Sequence, residues 1–228
     1  MVTDSRVPAC LLLLADSRLP AGAHAHSGGL CAAVEAGLVS SIEHLAGFLA
    51  GRLATAGLVA AAAADRAATL LTVSTPDQDL LRELDAEIDA RTPAPAARAA
   101  SRAQGRGLLR ATARAWPSPA LDLLPERPHH PVALGAAAVA VGCGPGAAST
   151  LAALMSVTGP ASAAVRLLGL DPLSVSSLLA RLAPEVDATA NRALVSVAAA
   201  GRLPAASAPL LDVLAQAHTR TEVRLFAS

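Results

Sequence analysis

S-R-L-P-A-G-A-H-A-H-S-G-G-L-C-A-A-V-E-A-G-L, residues Ser17–Leu38, joins an apolar helix-like run, Val7 to Ala15, to a second at Leu30 to Ala36. Pro20 fixes φ, while Gly22, Gly28 and Gly29 permit φ above zero, so the turn between the two helices is shaped by its own residues. His24 and His26, two of the chain's six histidines, stand inside it. Ser27 is placed to cap the helix beginning at Leu30.

Around this loop the composition is that of a helical protein. Hydrophobic residues make up 53% of the 228, aromatics only 1%, and tyrosine is absent. Sheets lean on aromatic and β-branched side chains, so an alanine- and leucine-rich chain reads as all-α, a single-domain bundle of about ten helices over residues 1–228. All 18 basic residues are arginine. Without lysine, a Walker-A phosphate loop and Schiff-base catalysis are both closed. A net charge of +0 disfavours nucleic acid as a partner. Cys10, Cys31 and Cys143 lie far apart without C-x-x-C spacing, which predicts reduced thiols rather than a disulfide framework.

Helix-like segments follow the loop. Ser40 to Val73 reads as one long helix or two, capped by Ser40 or Ser41, and Asp77 to Ala90 is amphipathic with an acidic outer face. Further runs are expected at Val132–Val141, Ala147–Val157, Ala161–Leu168, Leu173–Leu182, Val186–Ala200 (with Asp187 near its cap) and Leu210–Ala217, then a polar tail from His218. Pro131 to Val165 is uncharged. Gly142, Gly144, Pro145 and Gly146 divide it, leaving a first half shorter than the ~20 residues of a span, so two core helices and no membrane are expected.

In the segment from Ala96 to Trp116, Arg98, Arg102, Arg106, Arg110 and Arg114 recur at intervals of four and make one basic stripe on a helix. Like charges at i,i+4 cost roughly 0.2–0.5 kcal/mol per pair, so compensation is expected, from the acidic helix before it or from an acidic partner protein. The tail sets Arg220 and Arg224 beside Leu225 and Phe226; such a group either tucks into the chain's own core or docks on a partner.

Two chemical alternatives attach to the loop. His24 and His26 are candidate ligands for nickel, copper or zinc, but they are only two, and Cys31 has no second ligand at a recognised spacing. A-H-S-G-G, Ala25 to Gly29, approximates a nucleophile elbow around Ser27, with Asp187 or Asp212 and His218 in the order of a triad. An elbow needs a strand entering it, and Arg18-Leu-Pro-Ala-Gly is none. No catalytic residue, cofactor or resident metal is therefore expected.

The stretch L-P-A-G-A-H-A-H-S-G-G-L-C-A-A-V-E-A-G-L-V resembles the urease accessory protein UreF family, whose pattern is roughly L-P-x-G-x-F-x-H/Y-S-x-G-L-E-x-x-V-x-x-G-x-V. Q-G-R-G-L-L-R (Gln104–Arg110), H-P-V-A-L-G (His130–Gly135), A-A-V-R-L-L-G-L (Ala163–Leu170) and V-R-L-F-A-S (Val223–Ser228) extend the likeness along the chain. His24 stands where an aromatic is usual, and Cys31 where glutamate is common. The resemblance implies an all-helical, non-enzymatic cytoplasmic chaperone that dimerises, binds UreD (also called UreH), recruits the GTPase UreG and acts on urease apoprotein during nickel insertion, as bridge and possible regulator. Partner contacts are then expected at Pro20, Gly22, His24, His26, Ser27, Gly29, Leu30 and Glu35 of the loop, at Arg220, Arg224, Leu225 and Phe226 of the tail, and along the arginine stripe.

Overall fold

The computed structural model describes residues 8–21, 25–219 and 226, apart from the side chain of Ala200. Gly22, His24, Arg220, Arg224 and Leu225 lie outside the described residues. The helices are α1 (Ala9–Ala15), α2 (Leu30–Glu35), α3 (Ile42–Arg52), α4 (Leu58–Thr72), α5 (Gln78–Ala90), α6 (Pro95–Ala115), α7 (Pro119–Asp122), α8 (His130–Ala140), α9 (Pro145–Leu168), α10 (Pro172–Ala200) and α11 (Pro209–His218). No strand occurs among the described residues. The expected all-α single-domain bundle is what the chain forms.

Helix starts follow capping chemistry. Ser41, not Ser40, caps α3, its side chain accepting from the His44 amide at 3.3 Å. Asp77 caps α5 through the Asp79 amide at 2.8 Å. Asp171 caps α10 through the amides of Leu173 and Ser174. Each oxygen satisfies amides that the first helical turn leaves without an intrahelical acceptor.

The core is built on α4, packed between α8, α9 and α10. Its inner surface is alanine: Ala61–Ala64, Ala67 and Ala68 are fully buried. Small side chains let backbones approach, and Gly135 of α8 takes this furthest, since a Cβ there would strike the Ala64 carbonyl and come within 2.8 Å of the Ala67 side chain. α3 and α4 are one rod, joined by a π-helical turn at Leu53–Gly57. Residues 42–72 and α9 are each long and apolar enough to cross a membrane, yet they contact one another at the centre of the bundle.

Three expected boundaries are corrected. The runs at Ala147–Val157 and Ala161–Leu168 are one helix, α9, with Pro160 inside it. Proline removes the amide that would bond the carbonyl four residues back; that carbonyl, of Ser156, instead accepts from Arg52 Nε at 2.9 Å. The runs at Leu173–Leu182 and Val186–Ala200 are likewise one helix, α10, whose cap is Asp171. Pro184 and Asp187 lie on its solvent face. His218 ends α11 with 3% exposure rather than opening a polar tail.

Candidate functional site

The α1–α2 loop is held by the side chains and backbone of four other helices. Gly28 and Gly29 take φ of 63° and 92°, a conformation in which a side chain is strained. The Gly28 carbonyl accepts from Arg52 of α3 at 2.7 Å. A Cβ on Gly28 would lie 3.0 Å from that guanidinium and 3.1 Å from Pro160 of α9; one on Gly29 would lie 3.3 Å from Leu211 of α11. Gly107 of α6 faces the Ala21 carbonyl so closely that no side chain fits between them. Burial lowers the Arg52 pKa to about 10, which leaves the guanidinium charged at neutral pH. One cation thus joins the loop to the carbonyl freed by Pro160.

Within the loop, Ser27 is fully buried and its Oγ accepts from the Cys31 amide at 3.0 Å. Gly29 holds the geometric N-cap position, while Ser27 supplies the capping oxygen. Leu30 is also fully buried, so both residues shape the loop from inside, and Pro20 and Glu35 are exposed on it. His26 is half-buried beside His130, whose pKa falls to about 4 chiefly through burial and secondarily through the charge on His26. The geometry gives Ser27 a capping place rather than that of a nucleophile elbow: its oxygen is buried against the Cys31 amide, and no strand enters it among the described residues.

The arginine stripe divides in two. Arg102 bonds Asp85 and Asp89 of α5, each at 2.7 Å, and the Arg127 carbonyl at 2.8 Å. Arg98 lies 3.8 Å from Asp89 and donates to the carbonyls of Thr92 and Pro93. The neighbouring acidic helix therefore compensates these two. Their network includes His129, which is fully buried: its Nε2 lies 2.9 Å from Asp89, its Nδ1 2.9 Å from Ser101, and its amide donates to Asp85 at 2.7 Å. Burial, outweighing the carboxylate, lowers the His129 pKa. A neutral ring donating from Nε2 and accepting from the Ser101 hydroxyl satisfies every group.

Arg106, Arg110 and Arg114 are exposed, and no carboxylate lies within salt-bridge distance of them among the described residues. Arg106 and Arg110 join Arg127 around a shallow groove of about 280 Å³, whose floor includes Gly107. Since Gly107 is also where Ala21 rests, the loop and the uncompensated half of the stripe share one surface. Sequence spacing revealed the stripe but not this division. Arg52 and Arg127, isolated arginines with no pattern around them, were not recognisable in advance.

At the other end, Phe226 is 2% exposed and the Arg166 guanidinium sits 4.4 Å from its ring centroid. Of the two alternatives for the tail, Phe226 takes the place in the chain's own core. Cys31, expected to lack a second ligand, has Glu35 one turn along α2 and His218 across from it on α11. All three cysteines are free thiols.

With this arrangement in view, the chain compares with known proteins as follows. A family model described as UreF matches residues 39–183. A protein of Mycobacterium sp. (strain JLS) named "Urease accessory protein UreF" is 51% identical over 221 residues, covering 96% of this chain and 97% of that protein. Proteins of the same name from Mycolicibacterium vanbaalenii and Mycobacterium tuberculosis are 46% and 42% identical, with 96% of this chain covered in both and 98% of each relative. Each of these similarities extends over nearly the whole chain, and the chain belongs to the UreF family.

Proposed function

We propose that this chain is a non-enzymatic accessory protein of urease maturation, a cytoplasmic homodimer that bridges UreD (UreH) and the GTPase UreG on urease apoprotein during nickel insertion and regulates the GTPase. The observation that carries it is the similarity, at 51% identity over 96% of the chain, to a protein named "Urease accessory protein UreF". The absence of lysine fits a protein that acts on a nucleotide enzyme without handling the nucleotide itself.

The surface best suited to a partner is the loop with its adjoining basic groove. Pro20 and the Arg106, Arg110 and Arg127 side chains are exposed together with backbone that four helices hold in place. A rigid surface loses little entropy on docking, and unneutralised arginines make bidentate, charge-assisted bonds to carboxylates. The partner face is therefore acidic. Differential contact with two states of the GTPase then biases it.

The test is co-purification with UreD and UreG, and urease activation in cells, for Arg106→Glu/Arg110→Glu beside wild type. Loss of capture and activation with an unchanged melting curve is expected, because both side chains are exposed and outside the Asp85–Asp89 network. Full activation by this variant would remove the groove from the mechanism. Failure of the wild-type chain to assemble with either protein would remove the role.

A further inference from the structure

We propose that Cys31, Glu35 and His218 form a binding site for a divalent transition-metal cation of the zinc and nickel class. Cys31 and Glu35 stand at i and i+4 on one face of α2, and His218 reaches them from the last turn of α11. The Cys31 Sγ lies 3.5 Å from Glu35 Oε1, and His218 Nδ1 lies 3.2 Å from Glu35 Oε2. One ligand atom from each of the three falls within 4.8 Å of the others. An ion with bonds of about 2.0–2.3 Å holds tetrahedral neighbours roughly 3.2–3.8 Å apart. Rotation of the exposed Glu35 side chain closes the remaining gap.

Three features beyond proximity point to a cation. His218 Nε2 faces the Phe226 carbonyl at 3.2 Å. A ligating histidine characteristically donates its other ring N–H to such an oxygen, which fixes the tautomer and aims the lone pair of Nδ1 at the metal. With acceptors at both nitrogens, one proton on the ring serves only one of them; a proton or a metal must lie between Nδ1 and the carboxylate. Second, the two oxygens of Glu35 are turned to the other two donors, Oε1 to Cys31 at 3.5 Å and Oε2 to His218 at 3.2 Å. Third, Cys31 and His218 are 2% and 3% exposed while Glu35 opens to solvent, so two donors are preorganised and the third faces the direction of entry.

Thiol, imidazole and carboxylate together suit borderline ions and disfavour magnesium and calcium, which take oxygen alone. In the absence of metal, burial and the neighbouring Glu35 hold the thiol protonated, with its pKa raised to about 11. On binding, the Cys31 S–H proton is released to solvent and a sulfur–metal bond forms, with no change of oxidation state. The fourth position is left for water or for a donor from another molecule. The ion would link α2, and so the loop, to α11.

The experiment uses the full chain carrying Cys10→Ser and Cys143→Ser, leaving Cys31 as its only thiol, titrated separately with nickel chloride and zinc sulfate. One equivalent per chain, proton release and a near-ultraviolet sulfur-to-nickel charge-transfer band are expected, together with a rise in melting temperature of about 5–10 °C at a hundredfold excess over Kd. The tighter of the two titrations identifies the preferred ion. Glu35→Gln and His218→Gln should each weaken binding more than about tenfold, and Cys31→Ser should remove the band. If the double-serine chain does not fold, protection of Cys31 from alkylation by either ion, mapped in the wild-type chain, replaces the band. Binding that is undiminished in Cys31→Ser and His218→Gln would assign the ion to other residues and overturn the site, as would the lack of binding by either ion. The site does not depend on the proposed partner role: a chain that binds no metal and still activates urease refutes the site alone.

Discussion

Alanine substitution at two helical glycines should change stability in opposite directions. Gly47 lies in the exposed part of α3, and a Cβ there meets nothing within 4 Å. Gly47→Ala therefore gains helix propensity alone, about 1 kcal/mol, which raises the melting temperature by about 2–4 °C in a chain of this size. Gly105 lies in the middle of α6, where a Cβ would collide with the Pro128 carbonyl and approach the His129 carbonyl carbon at 2.9 Å and the His130 amide nitrogen at 3.0 Å. These are backbone atoms, unable to rotate away, in a segment anchored by Asp85 to the His129 amide at 2.7 Å and by Ser101 to the His130 amide at 3.2 Å. Overpacking costs about 1–3 kcal/mol, and a displaced hydrogen bond to a charged group about 1.5–3 kcal/mol. After the propensity gain is subtracted, Gly105→Ala should destabilise by about 1.5–5 kcal/mol, a fall of about 3–20 °C. Thermal melts by far-ultraviolet circular dichroism decide it. A Gly105→Ala melting point at or above wild type would refute the close approach of α6 to the segment before α8, and with it the buried network around His129.

Phe226→Ala should cost about 3–4 kcal/mol, since the ring is fully packed and carries the Arg166 contact; a melting curve unchanged by the substitution would free the tail to act on partners alone. His130 predicts a pH dependence. Its pKa falls from 6.5 to about 4 on folding, so its contribution is complete above about pH 6.5 and is lost as pH drops towards about 4, at most about 3.4 kcal/mol. His130→Gln should flatten stability across that window, and equal acid sensitivity in variant and wild type would place the titration elsewhere.

The helical class, the loop and the arginine spacing were legible in the sequence because each depends on local chemistry. Aromatic poverty and alanine richness set the class. Ser41, one of the two serines expected to cap α3, does so through the amide three residues on, and the positive φ of Gly28 and Gly29 is the freedom that glycine provides. Prolines misled for the same reason. Pro160 ends a helix on local grounds, yet α9 continues through it, and the guanidinium of Arg52, 104 residues before the carbonyl it serves, supplies the donor that the proline lacks. Tertiary packing alone decided which arginines are neutralised, since Arg102 meets Asp85 and Asp89 only when α6 lies against α5. It likewise brought His218 to Glu35 across 183 residues and buried Phe226 under Arg166. Local propensity is written in near neighbours; charge pairing, donor clusters and burial depend on which distant surfaces meet, and an alanine-rich core with few distinctive side chains leaves little in the sequence to announce those meetings.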